Sequence, residues 1–179
     1  LPDSTIEDGS QYFNTVTYSG NGTNARSITG VGFQPDLVWA KARNLTQHHT
    51  LFDSVRGATY QLSSSLTFAE TNFTSISQSL NSDGFTVGTS DYINGTGYNY
   101  VAWNWKANGS GVSNTDGSIT STVSANPTAG FSIVTWTGVG SAPNTIGHGL
   151  GAAPKMIITK TRTASIAYNW NTYHEGLDV

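Results

Sequence analysis

The chain has 179 residues, a formal net charge of −3 and only 11% charged residues; this is too little Lys, Glu and Arg for a mostly helical fold, and no basic run offers a row of charges to phosphates, so nucleic-acid and anionic-membrane partners are set aside. Ser, Thr, Asn and Gly occur 21, 25, 15 and 20 times beside 5 Trp, 8 Tyr and 7 Phe, a composition of short strands and turns with aromatic side chains supplying the buried area. Cysteine is absent, which removes a disulfide framework, a thiolate nucleophile and a zinc-thiolate site.

The opening LPDSTIEDGS has neither a basic start nor an apolar stretch, no run reaches the roughly 20 residues of a membrane span, and the first residue is not Met. The expectation is a piece of a longer polypeptide. Strands are expected at YFNTVTY (12–18), DLVWAKAR (36–43), GFTVG (84–88), YNYVAWNWKA (98–107), SITSTV (118–123), FSIVTW (131–136) and KMIITKTR (155–162), each β-branched or aromatic and bounded by Gly, Asn, Asp or Pro. In the second of these, alternation puts Val38, Ala40 and Ala42 on one face and Leu37, Trp39, Lys41 and Arg43 on the other, with the Val/Ala face buried. Only 57–71 could hold a helical turn, and its Ser and Thr weaken that reading. The fold expected is all-β, an antiparallel β-sandwich of the concanavalin or jelly-roll kind.

Self-similarity organises the chain. FNTVTY (13–18) matches FSIVTW (131–136) at an offset of 118, and SITGVGFQPDLVWAKAR (27–43) matches TIGHGLGAAPKMIITKTR (145–162) at 119. Pro35 pairs with Pro154, Lys41 with Lys160 and Arg43 with Arg162. The expectation is a tandem repeat: a first unit over 11–126 and a second over 127–179 that is incomplete, with ANGSGVSNTDGSI (107–119) or SANPTAG (124–130) as linker. The repeated Lys-x-Arg at strand ends is read as a charged guard against edge-to-edge aggregation.

The densest polar cluster is HHTLFDSVRG, with His48, His49, Asp53 and Arg56. His49 as base with Asp53 orienting it is a catalytic reading, and the two His with Asp53 a metal reading. Adjacent strand residues face opposite ways, no Ser or Cys nucleophile accompanies them, and Tyr168 and Thr172 replace His49 and Asp53 in the second copy; a sheet-end ion pair of Asp53 with Arg56, with the histidines as surface polar residues, is the simpler account. The acids fall mainly in turns such as SDG and TDG, so a glycosidase pair is not assigned. In YNYVAWNWKA, Tyr98 and Tyr100 share one face and Trp103 and Trp105 the other. The tryptophans are assigned to the core, and the tyrosine face is left open between packing and a platform on which a sugar ring could stack. His49, Asp53, Tyr98 and Tyr100 are therefore the candidate ligand-binding residues, with no catalytic residue, metal or cofactor assigned. Five Asn-x-Ser/Thr triplets, at Asn21, Asn44, Asn72, Asn94 and Asn108, are no more than composition produces by chance.

The motifs GVGFQPDLVWAKAR, LFDSVRGA and YVAWNWKA, with TIGHGLGAAPKMIITKTR and WNTYH further on, resemble a repeated domain of virion proteins in marine tailed bacteriophages. There it often follows a concanavalin-like or SPRY-like sandwich, and residues 1–10 resemble the linker leaving such a domain. The resemblance implies a non-enzymatic, extracellular tail-fibre or related appendage domain. It further implies self-association, with a trimer expected for a fibre, contact with neighbouring virion proteins, and adhesion to host-surface glycan. A lectin-like module of a secreted protein is the alternative, and a glycan-cleaving enzyme a more distant one.

Overall fold

The computed structural model describes residues 6–140, 143–163 and 167–177. Fourteen strands run in chain order among the described residues. They are β1 (Phe13–Ser19), β2 (Arg26–Thr29), β3 (Leu37–Ala42), β4 (Thr50–Asp53), β5 (Gly57–Leu62), β6 (Thr71–Asn72), β7 (Ser77–Asn81), β8 (Gly84–Val87), β9 (Asn99–Trp105), β10 (Val112–Asn114), β11 (Ser121–Asn126), β12 (Phe131–Trp136), β13 (Met156–Thr159) and β14 (Asn171–His174). All pairings between these strands are antiparallel. The fold is all-β.

A six-stranded sheet in the order β1-β9-β3-β4-β5-β6 and a three-stranded sheet in the order β2-β8-β7 pack face to face as a β-sandwich. Their shared core holds Val38, Ala40, Phe52 and Ala102 from the larger sheet, Ile28, Phe85 and Val87 from the smaller, and Ile76 and Ile93 from the loops. Phe52 and Phe85 meet edge to face at 5.8 Å across it. Alternation in β3 buries Val38, Ala40 and Ala42 as their spacing requires. The segment 57–62, weighed above for a helical turn, is instead the edge-side strand β5, and β4 escapes pattern reading because all four of its residues are buried beside an irregularity in the β4–β5 register.

Turns lock the two sheets together. Asp83, in the tight β7–β8 turn, accepts hydrogen bonds from the backbone N–H of Gly30 (3.1 Å) and Gly32 (2.6 Å), which hold its carboxyl below the usual carboxylate range and pin the loop after β2. Gly84, at φ +137°, lies so close to β2 that a Cβ there would fall 2.0 Å from the Ile28 carbonyl oxygen.

Beyond β9 the chain forms a three-stranded sheet, β10-β11-β12, and a two-stranded one, β13-β14. Residues 127–130 are the turn of the β11–β12 hairpin, so SANPTAG is hairpin and not linker, and both sides of the expected 126/127 boundary lie in one sheet. The β13–β14 hairpin aligns Met156 with His174 through Thr159 with Asn171, the same four-pair antiparallel arrangement in which β3 and β4 align Leu37 with Asp53 through Ala40 with Thr50.

Candidate functional site

Cross-strand register decides which side chains share the outer face of the six-stranded sheet. One row runs Thr15, Trp103, Trp39, Leu51; the next runs Thr17, Val101, Lys41; on the other side lies Phe13, Trp105, Leu37, Asp53. Directly opposed residues point to the same face. The inner face of β9 carries Tyr100, Ala102 and Asn104, all fully buried, so Trp103 and Trp105 stand on the outer face, half-buried. The assignment of Trp103 and Trp105 to the core is thus overturned by the structure, and Tyr100 takes the core place instead. The core that Ala40 and Ala102 share is already occupied by Phe52 and Phe85, and an indole at either alanine position would overfill it.

Trp39 and Trp103 pack edge to face at 6.2 Å and 74°. The Trp39 indole N–H donates to Nδ1 of His49 at 2.8 Å, with the two rings 5.8 Å apart. That bond requires an unprotonated Nδ1, so the neutral imidazole carries its proton on Nε2. Burial, with Lys41 and His48 nearby, holds the His49 pKa below its ordinary value. Thr15 and Thr17 are exposed beside the indoles, while the Lys41 ammonium turns back to donate to the carbonyls of Ala42 and Leu45. The result is an aromatic ledge without a carboxylate, rimmed by hydroxyls and one imidazole, with the Lys41 ammonium in the next row held by two carbonyls. Further along, Trp105 lies between Phe13 (4.9 Å) and Phe131 (6.2 Å, stacked), so the start of β12 covers that end of the face.

Of the four residues picked out by sequence, only His49 belongs to this ledge. Tyr100 is fully buried, its ring stacked on Tyr18 at 5.3 Å and its hydroxyl donating to the Asp91 carbonyl while accepting from the Gly95 N–H. Tyr98 precedes β9, half-buried in a turn whose backbone bonds Gly95 and Gly20. Asp53 is buried and accepts from the Arg56 Nε at 2.6 Å and from the backbone N–H of Val55 and Arg56; it is tied into the turn after β4 and unavailable to a ligand. Arg56 extends this network to Glu70, which Arg162 grips through two bonds of 2.7 and 3.0 Å. Asn94, one of the Asn-x-Thr positions, is fully buried: its amide donates to the carbonyls of Thr23 and Gly88, and its oxygen accepts from Arg26 and the Asn21 N–H.

A family model described as a domain of unknown function, DUF7483, matches residues 8–179. The chain belongs to that family. No curated protein and no solved structure matches it. The match runs through the sandwich, the three-stranded sheet and the β13–β14 hairpin alike. The family description carries no activity, so chemistry has to be read from the faces of this molecule. Trp39 and Trp103, missed as a pair by sequence reasoning, were findable from one signal: once the Val38/Ala40/Ala42 face is taken as buried, Trp39 must point outward, and any strand paired with β3 brings an outward partner beside it.

Proposed function

We propose that this is a non-enzymatic appendage domain of a bacteriophage virion, of the tail-fibre kind, that holds neutral host-surface glycan on the Trp39–Trp103 ledge. The observation that carries the reading is the ledge itself: two edge-to-face indoles on the adjacent interior strands β3 and β9, flanked by exposed Thr15 and Thr17 and by the His49 Nε2–H. An indole face stacks on the apolar face of a pyranose, and neutral donors and acceptors at its rim bind hydroxyls without the desolvation cost of a charge. The only carboxylate in the two tryptophan-bearing rows is Asp53, already consumed by Arg56, which leaves a glycosidase pair no place beside the ledge. The phage setting rests on the motif resemblance, as do self-association into a fibre, contact with neighbouring virion proteins and an extracellular location. The matching hairpins β3–β4 and β13–β14 support reading the chain as one unit followed by the start of a second.

The test is a glycan array of bacterial surface polysaccharides probed with the intact chain, with reducing ends assayed in parallel. Binding to neutral glycans, lost in Trp39→Ala and Trp103→Ala and without release of reducing ends, is the expected result. Reducing ends released at enzymatic rates would overturn it.

A further inference from the structure

In the sandwich, β3 is flanked on both sides: β4 pairs along one edge and β9 along the other. In the C-terminal hairpin, β13 pairs with β14 alone, and no strand lies along its other edge among the described residues. Met156, Ile157 and Ile158 are 54%, 42% and 47% exposed. They alternate between the two faces, so both faces of this strand are apolar and uncovered. A two-stranded hairpin with a bare edge and two bare faces is marginal by itself and is a template for a further strand. The hairpin is nonetheless held in place, because Trp170 Nε1 donates to the carbonyls of Ser63 and Leu66 and Arg162 grips Glu70.

We infer that the free edge of β13 is an acceptor for an incoming antiparallel strand of the β9 kind, neutral and alternating small with aromatic residues. The inference rests on reading β13 as the counterpart of β3, and not on glycan binding. Under that correspondence Met156, Ile157 and Ile158 stand where Leu37, Val38 and Trp39 stand, and the partners at those positions in β9 are Trp105, Asn104 and Trp103. A second copy of β13 itself is the poorer occupant. Pairing 156–159 in full with its own copy sets Lys155 opposite Lys160 at both ends, a like-charge contact. In the β3–β9 register a β9-type strand sets Val101 opposite Lys160 and only its Lys106 opposite Lys155, one like-charge contact at one end against two in the self-pairing, and its outward aromatic side chains would lie beside Met156 and Ile158 as Trp105 and Trp103 lie beside Leu37 and Trp39. Such pairing is strand addition: main-chain bonds provide affinity, and the side-chain alternation provides register.

The probe is a fluorescent synthetic peptide of residues 97–106, GYNYVAWNWK, titrated into the intact chain by anisotropy. Saturable one-to-one binding is expected, weakened at least tenfold by Ile158→Lys in the chain. Two peptides N-methylated at alternate residues test the mode without altering the protein: one parity should bind and the other, whose N–H groups face β13, should not. No saturable binding, equal behaviour of the two methylated peptides, or unchanged affinity with Ile158→Lys would each overturn the inference, as would self-association of the chain that the peptide does not compete.

Discussion

Two polar atoms sit in the sandwich core without a hydrogen-bond partner, the Thr50 hydroxyl and the Asn104 carbonyl oxygen. They differ in what else the side chain does. The Asn104 amide donates to the carbonyls of Asn14 and Ala102, so that residue ties β1 to β9; Thr50, fully buried on β4 opposite Ala40, gains nothing from its oxygen. An unsatisfied buried hydroxyl carries its desolvation cost uncompensated. Thr50→Val keeps the shape and should raise stability by about 1 kcal/mol in urea unfolding; a loss of stability would mean that the hydroxyl has a partner. His49 gives the residue scale a pH dependence. Its folded-state pKa lies below the ordinary 6.5 because burial opposes the charged form and Lys41 and His48 repel it. A depressed pKa contributes stability that is present above about pH 6.5 and lost as pH falls through the folded value. Protonation also places a hydrogen on Nδ1, facing the Trp39 N–H. Tryptophan emission should therefore change with a midpoint below 6.5, and His49→Gln should abolish the transition.

At the scale of elements, short carboxylate clamps set where strands end and how the hairpins attach. Asp36, buried at the start of β3, accepts from the N–H groups of Ala107 (2.6 Å) and Gly109 (3.1 Å), while Ser54 donates to the Gly109 carbonyl at 2.6 Å; together they steer the chain out of β9 toward the three-stranded sheet. Glu70 plays the corresponding part for the β13–β14 hairpin through Arg162. Arg162→Ala should leave the Glu70–Arg56 contact in place and speed amide exchange in 156–174 at least tenfold, with exchange in β1, β3 and β9 unchanged; equal protection in variant and parent would show that the other ties, from Trp170 to Ser63 and Leu66, from Lys160 and the Tyr168 N–H to Thr67, and from the Glu70 N–H to the Arg162 carbonyl, suffice to hold the hairpin. Much of the strand layout was legible because alternation and turn residues are local: LVWAKA announced both its extent and its buried face. The facing of β9 was not, since alternation identifies two faces without ranking them. Size suggested Trp103 and Trp105 for the interior, whereas the space available, set by Phe52 and Phe85 arriving from distant parts of the chain, suited Ala102 and Tyr100. The Asp53–Arg56 pair at the end of β4 was legible because its partners lie three residues apart, whereas its burial and its extension to Glu70 were not, since they are assembled by the β4–β5 turn and a long loop.

For the molecule as a whole, the sandwich acts as a rigid mount. Its inner faces are sealed by aliphatic and aromatic packing, its turns are fastened by Asp83, Asp36 and Asn94, and the ledge of Trp39 and Trp103 stands on β3 and β9, two interior strands each paired along both edges. A second bare surface, the edge of β13, is of a different kind and suits polypeptide instead of sugar. These two surfaces separate the adhesive and the architectural parts of the proposed appendage. The ledge is the central claim, and tryptophan fluorescence titration with the strongest glycan from the array tests it most directly. The account predicts saturable emission change in the parent chain and in Trp105→Ala, and at least tenfold weaker binding in Trp39→Ala and Trp103→Ala with far-ultraviolet circular dichroism unchanged. Full affinity in the Trp39→Ala and Trp103→Ala variants would contradict it.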